Sequence, residues 1–398
     1  MNTFKSLQGK SLLELPKIPT NVVANDAVAS GFMVNWQNNH DFGDDVDNVI
    51  QIWDDVNNIW VDNIVTGGTA TQAVTTDPST GDEFKIRVAV KKDNRYYPSL
   101  LDTAFYEGIG VVYVGGATTQ TIRRYGISDL NTLQNESPNF GGIIHDLVIS
   151  GDFVFAAGQT PNQRIRKYNL NNLTYTDIQS PTFGNVIYQI AISGDFVFAV
   201  GDSGTVRKYN LNDLTYTNIQ SDNHGSAVNS IAISGDYVFA AGDSGRIRKY
   251  RLSDLGYEAQ SPTYGGVINS ITISGDYVFA AGQTQTIRRY NLSDLNFVDE
   301  SPSYGAWVNS IIVSGDYIFA GGFSTQTIRK YRLSDLGYET QSPNYGGAIN
   351  SLAIRGNYIF AGGGTTQRIR RYNLSDLNYV DQSPNYGGNI NIVKTNIE

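Results

Sequence analysis

From residue 111 onward, apolar and polar positions follow one pattern that keeps returning. A clear copy, Ile268 to Phe297, reads Ile-Asn-Ser-Ile-Thr-Ile-Ser-Gly-Asp-Tyr-Val-Phe-Ala-Ala-Gly, then a short polar loop, then Ile-Arg-Arg-Tyr-Asn-Leu-Ser-Asp-Leu-Asn-Phe. Anchored on the residue before each Tyr-Val-Phe-like core, the copies start at Gly110, Asp152, Asp195, Asp236, Asp276, Asp316 and Asn357, with spacings of 42, 43, 41, 40, 40 and 41 residues. Each copy predicts four short strands. In the fourth these are A (Val-Asn-Ser-Ile-Ala-Ile), B (Tyr-Val-Phe-Ala), C (Ile-Arg-Lys-Tyr) and D (around Tyr-Glu-Ala-Gln). Gly-Asp turns A into B; Ser-Asp-Leu-Asn or Ser-Asp-Leu-Gly turns C into D. Four strands at this period make the blade of a β-propeller.

Strand A and the B–C–D units each occur seven times, but offset. Val111-Val112-Tyr113-Val114 is a B strand with no A before it. Asn389-Ile390-Asn391-Ile392-Val393 is an A strand with no B after it. Pairing these two closes a seven-bladed ring and removes free sheet edges. The stretch Ala241-Gly242-Asp243-Ser244-Gly245-Arg246-Ile247-Arg248-Lys249-Tyr250 resembles the WD-repeat and NHL-repeat propellers, although the Gly-His and Trp-Asp dipeptides of true WD repeats are absent.

Residues 16–107 hold no copy of the repeat. Phe32, Val34 and Trp36 alternate on one strand; Phe84, Ile86, Val88 and Val90 alternate on another, opposite Lys85, Arg87 and Lys91. Turn signals at 38–41, 66–68 and 77–81 separate the strands, predicting a small antiparallel sandwich. Pro19-Thr20-Asn21-Val22, Trp36 and Asp82 to Val90 follow the order of a fibronectin type III domain, which this segment resembles, with Phe84 in place of the usual tyrosine. An immunoglobulin-like sandwich is the alternative. The resemblance implies a spacer or docking module. Residues 1–15 form an N-terminal arm, and residues 108–398 the propeller. The chain is thus all-β. The acidic stretch His40, Asp41, Asp44, Asp45 and Asp47 lacks the spacing of a calcium loop and reads as a solvated turn.

Composition narrows the partners. The net charge is −9, with 8 basic against 15 acidic residues in 1–107 and 21 against 23 in the rest. Neither part has the basic excess that nucleic-acid binding requires. No apolar run reaches the ~18 residues of a membrane span, and the first residues lack the apolar core of a secretory signal. With 0 cysteines there are no disulfides or thiolate metal sites.

Candidate chemistry comes in three groups. Basic pairs recur in strand C: Arg123-Arg124, Arg166-Lys167, Arg207-Lys208, Arg248-Lys249, Arg288-Arg289, Arg329-Lys330 and Arg370-Arg371. Inter-blade salt bridges to the periodic turn aspartates (Asp152, Asp195, Asp236, Asp276 and Asp316; Asp129, Asp213, Asp254, Asp294, Asp335 and Asp376) are expected, with aromatic faces of strand B as further partners. An anion-binding ring is the competing reading. Second, the histidines His40, His145 and His224 are scattered, and the sialidase-type box is missing. Gly-Asp-Ser-Gly at 201–204 and 242–245 reads as a turn. The expectation is therefore no catalytic residue, no metal and no cofactor. Third, the meander puts the B–C loops and D–A links on one face. The B–C loops vary in length: 5, 6, 4, 4, 4, 5 and 5 residues. The links carry Phe140, Phe183, His224, Tyr264, Tyr304, Tyr345 and Tyr386, with Trp307 beside one of them. These eight residues are the candidate ligand-binding set, since rings beside amides and hydroxyls suit sugars; packing between blades is the alternative role.

The expected function is non-enzymatic display or adhesion, with the loop face meeting a cell-surface glycan or protein. A fibronectin-like module joined to a repeat domain, without cysteines or a signal, resembles structural and receptor-binding proteins of bacteriophage particles. That resemblance implies a virion-surface tail, fibre or capsid-decoration protein, contacts to other virion or surface proteins through residues 1–107, and a homo-oligomer. The alternatives are a polysaccharide hydrolase or lyase, and an intracellular propeller scaffold. Alternative locations are a cell surface reached by a non-classical route, and the cytoplasm.

Overall fold

The computed structural model describes residues 110–395 apart from 128 and 161–162, and, between residues 20 and 107, the backbone of eight strands. The chain divides into two compact units, 1–109 and 110–398. Every regular element among the described residues is a strand.

In the first unit, Thr20–Val28, Gly31–Gln37 and Gln72–Thr75 form one antiparallel sheet. Asp47–Asp54, Ile59–Gly67, Glu83–Lys92, Arg95–Pro98 and Ala104–Glu107 form a second. The Trp36 and Phe84 side chains, on which the fibronectin resemblance rests, lie outside the described residues. So do the arm at 1–15 and the acidic run from His40 to Asp45.

The second unit is a seven-bladed propeller of four-stranded antiparallel sheets. Blade 4 is representative: Val228–Ser234 (A), Tyr237–Gly242 (B), Ile247–Arg251 (C) and Tyr257–Gln260 (D). Blade 1 has the expected closure. Its B strand, Val111–Gly116, pairs with the last strand, Ile390–Thr395, with Val393 opposite Val114. Strands A surround a central channel of about 520 Å³ lined from all seven blades.

Strand B reads as an unbroken apolar run because a neighbouring blade covers it on each side. In blade 4, Val238, Phe239, Ala240 and Ala241 are all buried. The cores therefore lie between blades. One unites Phe279, Ala281 and Ile287 of blade 5 with Val308, Ile311, Tyr331 and Leu336 of blade 6.

The Asn-Ser pair of strand A stitches each seam. Asn269 Nδ2 donates to Val308 O at 2.9 Å, and Ile311 N donates to Ser270 Oγ at 3.2 Å. The same two bonds join blades 6 and 7 through Asn309 and Ser310. At the closure, Asn391 Nδ2 reaches Ile144 O at 3.0 Å. The C–D turn is tied to the A–B turn of its own blade: Leu252 N donates to Asp236 O at 2.8 Å. Within that C–D turn Leu255 has φ +58° and is buried. Burying its isobutyl group, worth about 1.5–3 kcal/mol, outweighs the ~1–2 kcal/mol cost of a left-handed residue.

Deleting residues 390–398 strips blade 1 of its inner strand and opens the ring. The expected outcome is a fall in Tm of more than about 10 °C by circular dichroism. An unchanged melt would show that the closure does not hold the circle.

Candidate functional site

The strand order puts the A–B and C–D turns at one end of the blades and the B–C loops and D–A links at the other, the loop face. Loop and link are in contact there: Thr118 of a B–C loop lies so close to Gly388 of a link that no Cβ would fit.

The basic pairs are placed by the two ends of the seam. The first member reaches the loop-face link of the preceding blade. Arg207 donates to Phe183 O at 2.5 Å, and its guanidinium lies 4.7 Å from the Phe183 ring centroid. Arg123 does the same to Tyr386 at 2.8 and 4.9 Å, across the ring closure. The second member reaches the C–D turn of the following blade. Lys208 Nζ donates to Leu252 O and Ser253 O at 3.2 and 2.9 Å and sits 4.0 Å from the Phe196 ring centroid.

This corrects the expected salt bridges to the turn aspartates. Most acceptors are backbone carbonyls, and the ion pairs of the basic pairs run to strand D of their own blade: Arg123 to Glu136 at 3.0 Å, Arg288 to Glu300 at 2.8 Å and Arg371 to Asp381 at 2.6 Å. Turn aspartates do pair with the last residue of strand C in two blades, Asp254 with Arg251 at 3.0 Å and Asp335 with Arg332 at 2.9 Å, but within the blade and not across the seam. The C–D aspartates instead hold their own turns, as Asp213 does by accepting from Thr215 N at 3.0 Å. A short side chain that can satisfy a local N–H stays in its turn, while long Arg and Lys side chains span the gap to the next blade. Burial pulls the Lys167 and Lys208 pKa down, and the fields of Asp213 and Asp254 offset part of it. These cations are engaged, so they do not form an open anion-binding ring. Clefts of about 690 and 510 Å³ beside them on the opposite face belong to the same seams.

Six of the eight candidate ligand-binding residues, Phe140, Phe183, Tyr264, Tyr304, Tyr345 and Tyr386, are buried between blades. The tyrosine hydroxyls donate to backbone of the next blade, as Tyr264 does to Thr286 O at 2.7 Å and Tyr304 to Thr327 O at 2.6 Å. Burial raises the Tyr264 and Tyr345 pKa to about 12. A ring with no exposed face cannot stack on a sugar, so these six act as inter-blade packing. His224 takes the same buried place. Its Nδ1 lies 2.9 Å from Ser244 Oγ. Burial, with the nearby Arg248 charge, pushes its pKa down to about 4.

Trp307, the eighth candidate, is different. It is 50% exposed, and Phe323, 58% exposed, stands beside it with ring centroids 6.4 Å apart. The backbone joins them, Phe323 N donating to Trp307 O at 2.9 Å. Phe323 opens the B–C loop of blade 6, where other blades have Ala117, Gln159, Asp202, Asp243, Gln283 and Gly364. That departure is the sequence signal for it.

A second departure lies in strand A. Where other blades have Asn229, Asn269, Asn309, Asn350 and Asn391, blade 2 has His145 and blade 3 has Tyr188. Their rings meet edge to face at 5.5 Å. Burial, then Asp202 and Asp243, raise the Tyr188 pKa to about 12. Burial lowers the His145 pKa, and Asp202 opposes part of that. Asn229 Nδ2 donates to Asp243 Oδ1 at 2.9 Å. Blades 2 to 4 thus bring His145, Tyr188, Asp202 and Asp243, unlike side chains from unlike blades, to one sector of the loop face. Among the described residues no group of three or more His, Cys, Asp or Glu could hold a metal ion.

No protein-family model and no curated protein matches the chain. Among solved structures, it is similar to the crystal structure of the computationally designed Ika8 protein, with a TM-score of 0.58 over 72% of this chain and 87% of that one, at 13% identity. At that identity the likeness concerns the fold alone.

Two outcomes test these placements. Lys208→Met removes the cation but keeps the stem, leaving two carbonyls short of a donor. A loss of about 1–3 kcal/mol in urea unfolding is expected, against less than about 0.5 kcal/mol for Asp195→Asn at the exposed turn. His224 is neutral in both states above its ordinary pKa of 6.5. Below it the unfolded chain takes up a proton that the folded chain refuses until about pH 4, so stability is lost as pH falls through that window. Between pH 7 and pH 5 the wild type should lose roughly 2 kcal/mol more than His224→Phe. Parallel losses in the two proteins would remove His224 as the cause.

Proposed function

We propose that the protein is a non-enzymatic glycan-binding module whose loop face is the binding surface. The observation that carries this reading is the placement of the departures from the repeat. Inside the seams the seven blades are nearly alike. On the loop face they differ, and the exposed Trp307–Phe323 pair lies there, on a face whose B–C loops are rich in Gln, Thr, Ser and Gly. Exposed rings supply faces for sugar C–H groups, and the amides and hydroxyls supply hydrogen bonds. The fold hosts many functions, so the argument rests on this surface and not on the architecture. The setting on a bacteriophage particle rests on the domain order alone.

A second reading has one observation in its favour. His145, Tyr188, Asp202 and Asp243 are the asymmetric grouping that a polysaccharide hydrolase or lyase requires. With its pKa pushed up to about 12, Tyr188 stays protonated at neutral pH and is poorly suited to act as a base.

On a glycan array the full chain should bind, and the double change Trp307→Ala with Phe323→Ala should weaken that binding at least about tenfold, as loss of aromatic anchors does. Full binding by the double variant would remove the loop face as the site. Release of reducing ends from polysaccharide, abolished by Asp202→Asn, would favour the enzyme.

A further inference from the structure

The central channel has a chemistry of its own. Neither Trp307 nor Phe323 lines it, and its volume of about 520 Å³ falls in the range of small-molecule pockets. One position of strand A lines it in all seven blades. Six of these side chains are uncharged: Val148, Ala191, Ala232, Thr272, Ile312 and Ala353. The seventh, in the closing strand Ile390–Thr395, is Lys394. Lys394 is half-buried. No carboxylate, carbonyl or ring among the described residues receives its ammonium. The other lysines of the blades are all engaged. Lys167, Lys208, Lys249 and Lys330 each donate to a carbonyl in the C–D turn of the next blade.

The polar groups elsewhere in the channel have donors to spare. Two residues earlier in strand A, the side chain accepts from a backbone N–H of the next blade. Gln189 Oε1 accepts from Ile231 N at 2.6 Å, Ser270 Oγ from Ile311 N at 3.2 Å and Ser310 Oγ from Leu352 N at 3.2 Å. This use occupies an acceptor site. It leaves the Gln189 Nε2 protons and the two hydroxyl protons without a partner among the described residues. All three side chains line the channel. The acidic member of that position, Asp146, is 2% exposed, and its Oδ2 accepts from Ile190 N at 2.9 Å. Among the described residues that line the channel there is one cation and no carboxylate.

We propose that the channel binds an organic monoanion, a carboxylate on an apolar body, with the carboxylate paired to the Lys394 ammonium. One ammonium matches one negative charge, and a charge-assisted bond is stronger in an enclosed site than in water. The apolar body leaves water against Val148, Ala191, Ala232 and Ile312. An inorganic anion would leave that wall wet. A polyanion would bring charges for which the lining holds no second cation. A cationic ligand would meet the ammonium with no carboxylate to offset it. The site is separate from the glycan surface, and neither proposal depends on the other.

The test titrates the full-length protein by calorimetry at neutral pH with octanoate, 1-octanol, acetate and inorganic phosphate. Octanoate is ionised there. It should bind at least about tenfold tighter than 1-octanol, which lacks the charge. It should also bind tighter than acetate, which lacks the chain. Lys394→Gln should erase the advantage over 1-octanol and leave the thermal melt unchanged, since the ammonium holds no other group. Thr272→Phe narrows the channel with the charge kept, and should weaken octanoate and 1-octanol together. No detectable binding of octanoate overturns the proposal. So does octanoate binding no tighter than 1-octanol or acetate, or phosphate binding tightest. An advantage that survives in Lys394→Gln, or octanoate binding untouched by Thr272→Phe, places the ligand elsewhere and overturns it too.

Discussion

A single blade of this propeller cannot satisfy itself. The cations of strand C take acceptors from both neighbouring blades: the link carbonyl on one side, the C–D turn carbonyls on the other. The Asn and Ser of strand A likewise bond the next blade. The apolar cores lie in the seams as well, so burial and hydrogen bonding demand the same neighbour. A buried carbonyl left without a donor is costly, and a buried cation without an acceptor more so. Ring closure is therefore a requirement placed on each seam in turn, and the last strand meets it by seating Asn391 on Ile144 O.

Much of this architecture can be read from the chain. The period, the Gly-Asp and Ser-Asp-Leu turns and the offset orphan strands lead to seven closed blades, because each is a repeated side-chain requirement. The partners of the basic pairs are harder to read. A carbonyl acceptor leaves no trace in the residue type that carries it, so Asp213 and Asp254 look like natural partners for Lys167 and Lys208 and act on them only at a distance. The link aromatics mislead for a related reason. Ser-Pro-x-Tyr-Gly suits both a packed corner and an open platform, and only the placement of Tyr264 and Tyr304 against the next blade decides between them.

The loop-face groups are legible once copies are compared position by position. Phe323, Asp202 and Asp243 share one column of the repeat, and His145 and Tyr188 share another. A comparison confined to loop lengths passes over the second column, because it belongs to strand A. The sites that break the pattern are few against a uniform background, which is what a binding surface set on a repetitive scaffold looks like.

The pairing of Val393 with Val114 also bears on how the chain comes into being. Blade 1 emerges from the ribosome with its inner position vacant, and it stays vacant while six further blades are made. The unpaired edge of Val111–Gly116 is thus exposed throughout synthesis, a period in which a like strand from a second nascent chain could occupy it. A strand exchanged from a second copy would make the same contacts, so the chain's own closing strand, Ile390–Thr395, is favoured by its higher effective concentration. The fold's weakest moment is the wait for the strand Ile390–Thr395, and errors of synthesis within it carry a cost out of proportion to its length.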